Sequence, residues 1–122
     1  MSISNYAELK ILEHTTGTTA WTMPTTVYIK LHTADPGEAA TSAAAGETTR
    51  KSAAWASAAS GSIATSATLE WTNVASTETL THWSLWDNLT AGNALWTGAL
   101  SSSAAVTAGD TFQITTLTLS LD

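Results

Sequence analysis

The chain has 122 residues, a net charge of −6 from four Lys and Arg against ten Asp and Glu, and no cysteine. That length fits a single domain, residues 1–122, with a real hydrophobic core and no need of a metal or disulfide to fold. So few cations exclude a phosphate-neutralising nucleic-acid surface and attraction to an anionic membrane, and the missing thiols exclude disulfide frameworks and cysteine chemistry.

Charged residues make up 11% of the chain, against roughly 25% in ordinary globular domains. Ala, Ser and Thr take their place, giving a small, neutral, hydroxylated surface suited to burial against other subunits. Six Trp are many for this length. They read either as core rings or as anchors of an interface or sugar platform. Glu8, Lys10 and Glu13 stand where a secretory leader would be apolar, and no stretch nears the ~18 apolar residues of a membrane span. A soluble product of a host cytoplasm is the expectation.

In chain order, Asn5 to His14 reads as a short helix. Asn5 and Glu8 have capping-box spacing, Gly17 is the stop, and Tyr6, Leu9 and Leu12, with Ile11 beside them, form the face expected to dock. Thr18 to Thr26 is a connector carrying Trp21 and Pro24. Val27, Ile29 and Leu31 alternate with Tyr28, Lys30 and His32, which predicts a strand ending in the turn Asp35-Pro36-Gly37-Glu38. Residues 39–48 predict a mobile loop. Arg50 and Lys51 then open a strand expected from about Thr49 to Ala58, and Gly61 marks a turn.

Ala67, Leu69 and Trp71 alternate in the next strand. From Leu80 to Asp87 apolar residues occupy both faces, as in a strand covered on both sides. Ala91-Gly92-Asn93 is a hairpin signal, and Ala94 to Leu100 the returning strand. After Gly109-Asp110, Phe112 and Ile114 are apolar at even positions, but Leu117, Leu119 and Leu121 at odd ones. A bulge, or a bend carrying the strand between sheets, would account for this slip near Thr115-Thr116. The sum is a mainly β fold: an antiparallel β-sandwich or jelly-roll-like domain with a short N-terminal helix.

Chemistry is sparse. His14, His32 and His82 lack metal-pair spacing, no Gly-x-Ser-x-Gly elbow or phosphate loop occurs, and Asp35 with Glu38 sits in a Pro-Gly turn. No enzyme activity, cofactor or metal is expected. Arg50 and Lys51 read as a solvated strand start, or as a basic spot meeting an acidic partner.

Asn5-Tyr6-Ala7-Glu8, Ile11-Leu12-Glu13-His14, Trp21-Thr22-Met23-Pro24, Val27-Tyr28-Ile29-Lys30-Leu31 and Thr33-Ala34-Asp35-Pro36-Gly37-Glu38-Ala39 follow one another in order. With Leu80-Thr81-His82-Trp83, Leu95-Trp96-Thr97-Gly98-Ala99-Leu100 and Gly109-Asp110-Thr111, this resembles a family of small tailed-phage virion proteins labelled head decoration or tail fibre. The middle departs from the family pattern: its Gly-rich loop is replaced by Ala and Ser around Gly46, and Arg50-Lys51-Ser52-Ala53 follows.

The resemblance implies a structural protein on the virion exterior. The first expectation is a decoration or cement protein on the major capsid protein, a homotrimer stapling the shell. Its contacts would be Tyr6, Leu9, Leu12, Trp21, Asp35, Pro36, Glu38, Arg50 and Lys51. The alternative is a tail or tail-fibre component that recognises a host glycan, with Trp86, Asp87 and Asn88 as the sugar platform.

Overall fold

A computed structural model describes residues 1–121. It is mainly β with one short helix, and every paired strand is antiparallel. The elements are β1 (Ser2–Ile3), α1 (Asn5–Thr15), β2 (Val27–His32), β3 (Lys51–Ala53), β4 (Ser62–Ala64), β5 (Leu69–Trp71), β6 (Glu78–Trp86), β7 (Ala94–Val106), β8 (Phe112–Ile114) and β9 (Thr118–Ser120).

The helix is capped by Ser4, one residue earlier than expected. Ser4 is extended, and its hydroxyl oxygen accepts the Ala7 N–H at 3.1 Å. Ser and Asn are equally good caps; β7 decides between them. The Ser4 N–H donates to the Leu95 carbonyl at 2.9 Å and its hydroxyl to that of Ala94, so the strand holds Ser4 in place. The helix stops where the sequence predicts. Gly17 adopts φ +75°, its N–H bonds the His14 carbonyl, and the Thr18 N–H bonds that of Glu13.

The docked face differs from the expected one. Ala7 is buried against β7, because a methyl side chain lets the helix backbone approach the strand. Leu9 and Leu12 are 62% and 61% exposed.

β2 and β6 form the centre of a five-stranded sheet ordered β1-β7-β6-β2-β3. Period-two alternation places Ile29 opposite Leu85 and Leu31 opposite Trp83 on the core face. The core is closed by a second layer of two separate ribbons, β4 with β9 and β5 with β8. They contribute Leu69, Trp71, Ile114 and Leu119 to the same apolar cluster. Trp71 is 1% exposed, lies 5.8 Å from the Phe112 ring, and donates its indole N–H to the Thr49 carbonyl at 2.8 Å. Gly98 lies under the Trp83 ring so closely that any β-carbon there would collide with it.

The C-terminal phase slip is a change of sheet. Phe112 to Ile114 pairs with β5, the chain bends at Thr115-Thr116, and Thr118 to Ser120 pairs with β4. Ile114, Leu117 and Leu119 all reach the core across this bend. Two other segments depart from expectation. The strand expected over residues 49–58 ends at Ala53, because beyond it the chain leaves the sheet. There Trp55 bridges to Thr65, and a tight turn with positive φ at Ser60 and Gly61 closes the hairpin. Residues 39–48, expected to be mobile, are built into the domain. Ser42 N–H bonds the Pro36 carbonyl, Ala45 N–H bonds that of Leu31, Gly46 N–H bonds the Glu78 carboxylate, and Ala40 and Ala45 are buried.

Candidate interaction surface

The sheet face turned away from the core carries the polar chemistry. Here Tyr28 opposes Trp86, Lys30 opposes Ser84 and His32 opposes His82. His32 and Ser84 are both completely buried. His32 Nδ1 lies 3.0 Å from the Ser42 carbonyl, which can only accept, so Nδ1 carries the proton and Nε2 is the acceptor. The Ser84 hydroxyl therefore donates to Nε2 at 2.7 Å, and its oxygen accepts the Trp86 indole N–H at 2.7 Å. The chain of donors Trp86, Ser84 and His32 ends on the pinned loop, and every buried polar atom in it has a partner.

Burial holds His32 below the ordinary histidine value of 6.5; the Ser42 carbonyl opposes that shift, and nearby Lys30 adds to it. A depressed folded pKa means that the unfolded chain binds the proton first. This contribution to stability is complete above pH 6.5 and is lost as pH falls towards the folded value. Thermal melts are expected to drop on acidification below pH 6.5, by at most about 1.4 kcal/mol per pH unit for one proton. His32→Gln should flatten that slope; an unchanged slope would assign it to other groups.

Arg50 caps the neighbouring hairpin. Its guanidinium sits 4.0 Å above the Trp86 ring, and one nitrogen donates to the Asn88 and Ala91 carbonyls at 2.7 and 2.8 Å. Lys30 approaches the same ring at 5.8 Å. Arg50 is thus neither a solvated strand start nor a free basic spot. Lys51 beside it is half-buried, with no hydrogen bond or ion pair from its side chain among the described residues.

The same contacts remove the expected sugar platform. Trp86 is 8% exposed beneath Arg50, Asp87 accepts both the backbone and the side-chain N–H of Asn93, and the Asn88 carbonyl is taken by Arg50. These three residues adjoin in sequence, but they build a hairpin and present no flat ring to a ligand.

The other candidates fall in two places. In the turn after β2, the Asp35 carboxylate accepts the Gly37 N–H at 2.9 Å and Pro36 is buried, so Pro36 is not available to a partner. Glu38 is exposed. Tyr6 on the helix and Trp21 in the connector are half-buried and pack edge to face at 6.4 Å, and the Trp21 backbone N–H donates to His14 Nδ1. Trp21 thereby ties the connector to α1. Met23 just beyond it is 82% exposed, the most exposed of the large apolar residues, and sequence reading did not single it out. Leu9 and Leu12 stand in solvent one turn apart on the outward face.

Among the described residues, concavities lie between these elements. A groove of about 710 Å³ runs between the outer half of β7 and the β8–β9 bend, lined by Trp83, Leu100, Phe112 and Ile114. A cleft of about 340 Å³ lies where α1, the 38–41 turn and the β6–β7 hairpin meet, with Asn5, Tyr6, Glu38 and Thr41 around Trp86 and Ala94. Asn5 and Thr41 were not legible as surface chemistry, since only the fold brings them to Glu38.

A small antiparallel β domain whose charged groups brace its own turns, and which leaves leucines in solvent, has the character of a structural subunit. The family model described as podophage GP4 fiber I protein gp80 matches residues 2–122, and the chain belongs to that family. It is a structural protein of a phage virion. No curated protein matches the chain.

Proposed function

We propose that the chain is a non-enzymatic fibre subunit on the particle exterior, attached to a neighbouring subunit of the fibre assembly through the outward face of α1. The observation that carries this reading is the pair Leu9 and Leu12, exposed side by side on a helix whose other face is already docked. Its acids and imidazoles support a structural role. Asp35, Asp87 and Asp110 close turns, Glu78 and Glu47 hold loop N–H groups, Glu70 pairs with Gln113, and His14 and His32 tie down connectors. The family's description as a fibre protein favours the tail over the capsid.

Leu9→Ser with Leu12→Ser should leave the isolated domain folded, shifting its stability by no more than roughly 0.5 kcal/mol per site as for other solvent-facing positions. Incorporation into particles should fall sharply. Quantitative mass spectrometry of purified virions, against the major capsid protein, is expected to give few copies per particle. A ratio of the same order as the capsid protein would replace the fibre reading with decoration of the shell by a homotrimer. Normal incorporation of the double variant would remove α1 from the interface.

A further inference from the structure

We infer that residues 39–44 form a flap on the outer face of the main sheet, latched by neutral His32 and released when His32 takes up a proton. The flap bridges to His32 through Ala44 and packs Ala40 with Trp86 and Ala94, an apolar cluster separate from the main core. Beyond it the chain is anchored by Ala45, which belongs to the main core. The flap can therefore leave the sheet while the core stays closed, an opening of local and not global kind.

Two observations give the latch its sense. The first is the direction of the donors. Nε2 carries the one free lone pair of the neutral His32 ring, and the Ser84 hydroxyl donates to it at 2.7 Å. A proton on Nε2 turns this acceptor into a donor. The Ser84 oxygen then receives N–H groups from both His32 and Trp86, and its own hydrogen loses its acceptor inside a completely buried network. The second is strain. Ala40 and Ala43 have φ of 56° and 51°, the left-handed region that a β-carbon disfavours, and they bracket Ser42, whose carbonyl holds His32 Nδ1. The closed flap keeps that conformation through its bonds: Thr33 N–H to the Ala43 carbonyl at 2.9 Å, Ser42 N–H to that of Pro36 at 3.1 Å, and the His32 ring to that of Ser42. Strained residues of this sort persist where the surrounding contacts over-determine them, and such sites are drawn on as switches.

The surrounding charges do not compensate a charged ring. Lys30 on β2 and His82 opposite on β6 both oppose it. Arg50 lies over Trp86, Tyr28 is paired across from Trp86, and Tyr6 of α1 lines the cleft beside it. β7 carries no titratable side chain. Asp35 and Glu38 line a cleft with His82, and Glu47 and Glu78 hold the N–H groups of Thr49 and Gly46. Among the described residues, the partners of the two ring nitrogens are the Ser42 carbonyl and the Ser84 hydroxyl, neither of them a carboxylate. Water is what stabilises the imidazolium, and lifting the flap admits it. The inference is independent of where on the particle the subunit sits.

Amide hydrogen exchange of the whole chain, followed by NMR from above pH 6.5 downwards and corrected for the intrinsic pH dependence of exchange, tests this. Protection of the Thr33, Ser42 and Ala45 amides and of the Trp86 indole N–H is expected to fall by up to about tenfold per pH unit, while the amides of Trp71 and Leu85 stay protected. His32→Gln, which keeps a donor and an acceptor but does not titrate, should abolish this pH dependence, and His82→Gln should leave it in place. Ala43→Gly keeps the network and relieves the strain, so it should raise flap protection by about fivefold at each pH. Loss of flap and core protection together, or a flap whose protection does not change with pH, would overturn the proposal. So would a pH dependence that survives His32→Gln or disappears with His82→Gln, or flap protection that Ala43→Gly leaves unchanged or lowers.

Discussion

Trp71→Ala is expected to be the most damaging single substitution in the domain, lowering the unfolding free energy by about 3–5 kcal/mol. Total stability for a domain of this kind is of order 5–15 kcal/mol, so the variant should be largely unfolded in mild urea. The loss is one of volume. Trp71 is 1% exposed, and its ring joins β5 to Phe112 of β8 and to the inner face of the main sheet. Its hydrogen bond matters less, because Thr49 is exposed and water can satisfy that carbonyl once the indole is gone. Trp71→Phe, which keeps a ring and loses the N–H, should therefore cost clearly less. Equal damage from both would show that the hydrogen bond, and not the filled space, is what holds the ribbon down.

Ser84→Ala should cost about 2–5 kcal/mol although it removes one oxygen atom and almost no volume. Ser84 accepts from the Trp86 indole and donates to His32 Nε2, so its loss leaves two buried polar atoms without partners at once. The penalty for each is about 1–3 kcal/mol, larger than the net gain from an ordinary hydrogen bond. Chemical denaturation measures the total. A change below roughly 0.5 kcal/mol would mean that solvent reaches both groups, contrary to the burial of Ser84.

The sequence made some of this legible because side-chain period alone decides it. Alternation in β2 places Ile29 and Leu31 inward wherever that strand sits, and the even-to-odd slip after Ile114 requires a turn of the backbone. The two-sided apolar character of β6 correctly announced cover on both faces. It could not say what the cover was. Residues 39–48 are Ala, Ser, Thr and Gly whose order comes from backbone bonds to Pro36, Leu31 and Glu78, and composition carries no trace of such bonds.

The site was less legible for the same reason. Trp86-Asp87-Asn88 looked like a platform because its residues adjoin in sequence, while the group that covers the ring, Arg50, comes from a distant strand edge. On α1 the large apolar residues were expected to dock, yet the close approach of helix to β7 favours the smallest side chain, Ala7, and turns Leu9 and Leu12 outward. The exposure of those leucines, which the docking reading of the helix missed, is what gives the helix a free face.

The bend at Thr115-Thr116 also governs the order in which the domain can assemble. Each ribbon takes one strand from residues 112–120, so until that stretch is present β5 lacks its ladder partner and β4 has only the short hairpin to residues 54–59. The β2–β6 and β6–β7 pairings can form first, while the inner face carrying Ile29, Leu31 and Leu85 remains wet. Closing two long loops with one short segment is entropically slow and couples both closures to a single event. A nascent chain halted before Phe112 would therefore present an uncovered apolar sheet to its neighbours, and release of the last strands acts as the step that commits the protein to its folded form.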